Sequence, residues 1–215
     1  PIMNFLRSLL VLTLGICLIP TSAQAAGLWL YEQATPDMGT AAAGRAALAS
    51  DASTASVNPA GMTRLDRSQL LAGFQMLYVD TKFDTDFAEF GGGDGGNAGG
   101  WVPAASFSYV DKMSDDLRLG VSVGSFFGLG LDYGKDWAGR YYVQEAEFLT
   151  FGINPGVGYR LNDHWSVGAG VSVVNSSLSQ KTAIRNLGAD QADGQLKLED
   201  DDWGYGYNLG ILYEY

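Results

Sequence analysis

The sequence predicts an all-β protein, a transmembrane antiparallel β-barrel, on three observations. After residue 68, apolar residues alternate with small or polar ones at a period of two, which gives a strand two chemically different faces. The connections between alternating segments are short and long by turns, as in outer-membrane barrels, whose periplasmic turns are short and outer loops long. Aromatic residues gather at segment ends, among them Tyr109, Tyr133, Tyr159, Trp165, Trp203 and Tyr213, as interfacial girdles require.

The chain opens with a signal-peptide pattern over residues 1–25: Met3 and Arg7, an apolar run from Ser8 to Ile19, then Ala23-Gln24-Ala25 as a small-x-small cleavage site. The run is too short to cross a bilayer as a helix. Cys17, the only cysteine, lies inside it; the apolar run continues past Cys17, which argues against lipidation there. A chain processed after Ala25 has no thiol, which suits an exported protein and removes cysteine nucleophiles and thiolate metal sites.

Residues 26–67 are small-residue-rich and lack strand periodicity, and they end near Ala55-Ser56-Val57-Asn58-Pro59-Ala60-Gly61-Met62. Asn before Pro fixes chain direction. This segment reads as a lumenal plug, with a short helix over residues 41–49. The first part of the barrel then occupies residues 68–215.

About six strands follow. Residues 70–78 and 102–110 alternate weakly. In residues 117–133, Leu117, Leu119, Val121, Val123, Phe127, Leu129, Leu131 and Tyr133 share one face; glycine and polar residues fill the other, with Phe126 the exception. Residues 149–159 form a fourth strand, where Pro155 implies a bulge or a shorter strand. Residues 165–173 and 203–215 complete the set. Residues 111–116 and 161–164 are the short turns, and residues 81–100, 134–148 and 177–202 the long loops. The polar faces are rich in glycine, of which the chain has 29. Glycine eases coiling of a barrel wall, and it also admits something packed closely against that wall.

Formal net charge is −11, with 24 acidic residues against 13 basic, a poor balance for binding nucleic acid. The acidic clusters at residues 80–94 and 199–202 read as solvated loops. The single histidine, His164, sits in a short turn beside Asp163, so no Ser-His-acid set is available and the chain is not expected to be an enzyme. Gly91-Gly92-Gly93-Asp94-Gly95-Gly96-Asn97 is a single glycine-aspartate copy without periodicity and reads as a loop tip rather than a calcium repeat. No metal site and no cofactor is expected. Arg140, after Trp137, has two readings: guidance of an amphipathic acid, or an anchor of its loop to the barrel rim.

The ordered set Ala26-Gly27-Leu28, Gly44-Arg45-Ala46, Asn58-Pro59-Ala60, Trp101-Val102-Pro103, Phe127-Gly128-Leu129, Trp137-Ala138-Gly139-Arg140-Tyr141, Tyr159-Arg160-Leu161-Asn162 and Trp203-Gly204-Tyr205-Gly206 resembles the FadL-type outer-membrane transporters of long-chain fatty acids and other hydrophobic compounds. The resemblance implies a fourteen-stranded barrel with an N-terminal lumenal hatch and a kinked third strand that opens the wall. It implies passive, sideways diffusion of a long-chain fatty acid or hydrophobic small molecule into outer-membrane lipid, by a protein that is monomeric at full length. Gly128 matches the kink glycine, with Phe127 beside it. Asn58, Pro59 and Ala60 match a hatch motif near the same opening. For the ligand carboxylate the resemblance implies a basic residue at the third outer loop; Lys181 lies near that place, Thr182 at the direct match, and Arg185 is comparable.

Six strands are too few to close a barrel, so the chain reads as the N-terminal portion of one, although residues 207–215 imitate a barrel's terminal strand. Two other functions stay open: an outer-membrane lipid-modifying enzyme, and a structural or adhesive barrel.

Overall fold

The computed structural model describes residues 33–188 and 191–215; the signal peptide expected at residues 1–25 lies outside them. Seven strands make one antiparallel sheet: β1 (Gln69–Val79), β2 (Gly100–Lys112), β3 (Leu117–Gly124), β4 (Gly128–Asp132), β5 (Glu145–Arg160), β6 (Trp165–Ile184) and β7 (Gly194–Tyr213). Their order is β1-β2-β3-β5-β6-β7, with β4 continuing the line of β3 and pairing with β5. No described helix is long and apolar enough to cross a membrane.

The two faces are inverted relative to a water-soluble sheet. Phe74 and Tyr207 are 70% and 81% exposed, whereas Ser108 and Ser122 are each 4% exposed. In β1–β3 apolar side chains point away from the molecule and hydroxyls and glycines point into it, as lipid on one side and packed protein on the other demand. In β4 the alternation is reversed, since Gly128 and Gly130 pair with the exposed Leu149 and Glu147 while Leu129 and Leu131 pair with Phe148 and Ala146 on the inner side. The expected single apolar face of residues 117–133 therefore does not extend past residue 124.

The inner face is covered by the N-terminal segment. It contains two 3-10 turns, Pro36–Thr40 and Pro59–Arg64, and two one-turn helices, α1 (Arg45–Leu48) and α2 (Thr54–Val57). Ala52, Ala55, Met62 and Leu65 form a small apolar core with Val110 of β2. The predicted short helix over residues 41–49 is thus only the single turn α1, which Gly44 precedes and Ala49 ends, both at positive φ.

Three expectations about strands are corrected. The third strand is two strands, because residues 125–127 leave the ladder. The long loop expected over residues 177–202 spans only residues 185–193, since β6 and β7 each run for 20 residues and pair throughout, from Trp165↔Tyr213 to Ile184↔Gly194. At roughly 3.3 Å per residue such strands are about twice the length a bilayer needs, so their upper halves stand clear of it; the acidic residues 199–202 are solvated, but on a strand. Finally, Pro155 neither shortens nor bulges β5. The β5–β6 register is the same on both sides of it, Ile153↔Val173 and Gly156↔Gly170, and only the pairs at residues 154 and 155 are missing. Pro155 and Asn154 still pair with Val121 and Ser122 of β3. The proline carbonyl faces Gly170, so the absent N–H falls on the β6 side, where pairing lapses.

Candidate functional site: a break in the wall

The N-terminal segment is fastened to the lower part of the wall. Asn58 caps the second 3-10 turn, its Oδ1 accepting from Ala60 N at 3.2 Å, while its Nδ2 donates to Ala46 O at 2.8 Å and Ile211 O at 3.2 Å. Thr63 Oγ1 donates to Ser166 Oγ at 2.8 Å, Arg118 Nε to Leu65 O at 3.1 Å and Arg160 Nη2 to Thr63 O at 2.5 Å. Arg64 pairs with Glu214 at 3.1 Å. Glycines allow this approach: a Cβ at Gly158, Gly168 or Gly210 would overlap the backbone of Pro59, that of Ala60 and the Asn58 carboxamide respectively.

Higher up, the wall opens. β2 pairs with β3 from Lys112↔Arg118 to Ser106↔Gly124, and Gly100 to Ala105 have β1 as their only ladder partner among the described residues. Hydrogen bonding across this interval resumes where Asp132 N donates to Ala98 O at 2.8 Å. The cause lies on the other flank. Gly124 pairs with Gly152 and Gly128 with Leu149, so residues 125–127 face only residues 150 and 151 of β5. One extra residue in one strand is a β-bulge, which bends that strand and re-aims it.

Thr150 holds the bulge. Its Oγ1 accepts from Phe127 N at 2.9 Å, its N donates to Phe127 O at 3.2 Å, and its own hydroxyl lies 3.1 Å from the same carbonyl. Ser125 Oγ donates to Phe127 O at 3.1 Å. Phe126 turns inward over Gly152 and lines a cavity of about 520 Å³ with Ala42, Ala46, Ala47 and Val57 of the N-terminal segment.

Of the residues singled out in the sequence, Phe127 and Gly128 stand at the break. Asn58, Pro59 and Ala60 do not lie beside Gly128. Pro59 packs on Gly156 and Gly158, seven to nine positions along β5 from Leu149, which pairs with Gly128; at ~3.3 Å per residue the separation is roughly 20–30 Å. The N-terminal segment reaches the break through Ser56 and Val57 instead. Lys181 sits on β6 opposite Glu145 of β5 and makes an ion pair with it at 2.5 Å. Arg185 lies over the Phe90 ring at 4.2 Å. The Arg140 side chain ties outer loops to one another: Nε meets Asp193 Oδ2 at 3.1 Å, Nη1 donates to Gly91 O and Nη2 to Phe90 O, each at 2.8 Å, and Nη2 reaches Tyr141 Oη at 3.1 Å. Asp193 is held below the usual carboxylate range by the Tyr141 hydroxyl, and then by Arg140, against the opposing effect of desolvation. The exposed His164 has Nδ1 2.9 Å from Glu214 O. No group of metal-ligating side chains occurs among the described residues.

Sequence reading missed Thr150, Ser106 and the inward turn of Phe126. The signal for the last was present: two successive phenylalanines interrupt a period of two, and Phe126 was the single apolar residue on a glycine and polar face.

A sheet with an apolar outer face and a close-packed polar inner face, with the N-terminal segment laid across that inner face, defines the wall of an outer-membrane β-barrel. The family described as Outer membrane protein transport protein (OMPP1/FadL/TodX) matches residues 16–215, and the chain belongs to it. The "Long-chain fatty acid transport protein" of Escherichia coli O6:H1 strain CFT073 is 31% identical over 94% of this chain and 50% of its own length. Among solved structures, a Pseudomonas aeruginosa FadL homologue superposes with a TM-score of 0.71 at 22% identity, covering 88% of this chain and 50% of that one. A "TodX deltaS2S3 mutant monoaromatic hydrocarbon channel" gives 0.57 at 19% identity, covering 74% and 46%. The chain spans about half the length of the curated relatives it matches.

Proposed function

We propose that this chain forms the N-terminal part of an outer-membrane channel for long-chain fatty acids or other hydrophobic compounds, in which residues 33–67 plug the barrel and the break between β2 and β4 is the sideways exit. The observation that carries the reading is the lapse of hydrogen bonding along Gly100 to Ala105, opposite a bulge at residues 125–127. An unpaired strand edge facing lipid is costly and does not persist unless it lines a cavity, and here a cavity lined by Phe126, with an extension lined by Ser106 and Gly124, lies behind the lower end of the break. Passive diffusion through this opening delivers ligand to outer-membrane lipid without a catalytic group. Phe127 and Gly128 shape the exit; Asn58, Pro59 and Ala60 hold the plug in place rather than touching the ligand. Lys181, matched by Glu145, does not serve as the carboxylate-binding residue.

The test uses the full-length protein. Cysteines at Ala104 and Leu129, joined by a reducible bifunctional thiol reagent, tie the two lips of the opening together. Uptake of labelled oleate and of labelled toluene is expected to fall on cross-linking and to recover on reduction. Undiminished uptake of both by the cross-linked protein contradicts a sideways exit here.

A further inference from the structure

The cavity behind the break has two chemically different ends. Its larger part is walled by Ala42, Ala46, Ala47, Val57 and the Phe126 ring. A narrower extension shares Gln33, Ser56 and Phe126 with it and is lined by hydroxyls, from Thr35 and Ser53 of the N-terminal segment and Ser106, Ser108 and Ser122 of the wall. Ser108 and Ser122 bond each other at 2.9 Å. Ser106 pairs with Gly124, the last rung before β2 parts from the third strand, and its Oγ is closed to solvent without a hydrogen-bond partner. A buried hydroxyl left unpaired is costly, so a ligand group placed here recovers that cost. The extension is about the size of one small polar group, with a volume near 10 Å³.

One charged side chain, Arg45, lines the larger end among the described residues, and none lines the extension. The Arg45 guanidinium donates to Thr35 Oγ1 at 2.5 Å and reaches Gln33 Oε1 at 3.5 Å, both residues of the extension, but its charge is taken by Asp37 at 2.5 Å. An ionised head entering this extension would lose its water without gaining a free countercharge, and a carboxyl group would take up a proton instead.

We propose that the serine-lined end is a head-group site for an uncharged O–H group on a hydrocarbon body, an alcohol or a protonated monocarboxylic acid, with Ser106 Oγ as its partner. This deepens the proposed exit and rests on it. The site favours such amphiphiles over plain hydrocarbons at the point of leaving the barrel, and it takes acids only in their neutral form.

The experiment compares uptake of labelled dodecanol, dodecanoic acid and dodecane by cells carrying the full-length protein or its S106A and S106T variants, with the folded protein quantified in the outer membrane. Loss of one hydrogen bond predicts a drop of about threefold to tenfold in dodecanol uptake relative to dodecane for S106A. S106T, which keeps the hydroxyl, restores the ratio. Dodecanoic acid shows the same loss at about pH 5, where neutral acid is abundant, and enters more slowly at alkaline pH, whereas dodecanol uptake is indifferent to pH. An unchanged alcohol-to-alkane ratio in S106A overturns the head-group site, as does rapid entry of the acid at alkaline pH that S106A does not alter. If cross-linking the lips stops all three ligands while S106A leaves their ratios unchanged, the exit stands and the head-group site falls; if cross-linking stops none, the exit itself has failed.

Discussion

At the scale of single residues, the contact between plug and wall depends on hydrogen side chains and one carboxamide. Gly168 lies against the backbone of Pro59 and Ala60, and replacing it with leucine forces the second 3-10 turn off the wall. Asn58 uses both ends of its amide, giving two bonds through Nδ2 and accepting one through Oδ1. Asn58→Ala is expected to cost about 1–3 kcal/mol of docking, the scale of leaving buried carbonyls unpaired. Asn58→Asp, which sets a carboxylate against the Ala46 and Ile211 carbonyls, is the more damaging. Hydrogen exchange over residues 45–62 in the full-length protein reads both, and equal protection in Asn58→Asp and wild type would contradict this account.

At the scale of elements, the bulge and the outer loops make separable predictions. The register of the third strand against β5 carries one surplus residue. Deleting Phe127 removes it, so that β3 and β4 join in one uninterrupted register against β5 and the lips can pair along β2. The deletion variant should assemble in the membrane and lose most uptake; retention of uptake would show that the bulge does not make the opening. Above the wall, Arg140 joins the loops holding Phe90 and Gly91, Trp137 and Tyr141, and Asp193. The folded pKa of Asp193 is lowered, by the Tyr141 hydroxyl first and Arg140 next. Its contribution is therefore present above the ordinary carboxylate value of about 4 and is lost as pH falls through the lower folded value. Proteolysis of the loop at residues 185–193 should accelerate in that acid window, and D193N should be cut faster at neutral pH. Equal cleavage of D193N and wild type at neutral pH would remove the clamp from the account.

At the scale of the molecule, the wall's polar inner face is coherent only when covered. Ser166, Asn154 and Ser108 are each less than 5% exposed because the segment before residue 68 and neighbouring strands cover them. Deleting residues 33–67 from the full-length protein uncovers this face to water and should raise the permeability of liposomes to small sugars. Unchanged sugar permeation would contradict the plug.

Much of this was legible in the chain itself. A period of two with apolar residues on one face and glycine on the other determines strands, a membrane setting and, in every strand before the bulge, the faces, because the pattern is local and its cause is the alternation of Cβ directions; past the bulge the faces of β4 are exchanged. The glycine-rich face also announced a close neighbour, which the structure supplies in residues 33–67. Other features were decided only by tertiary contact. Whether Asn58-Pro59-Ala60 met Gly128 or Gly158 depended on which wall glycines accepted the second 3-10 turn, and sequence proximity carries no information on that. The length of β6 and β7 depended on each strand satisfying the other's backbone beyond the bilayer, where composition alone reads as loop. The exit depended on a register count between strands that the sequence does not pair by itself: one residue more in the third strand than in β5, a surplus visible only when both partners are in place.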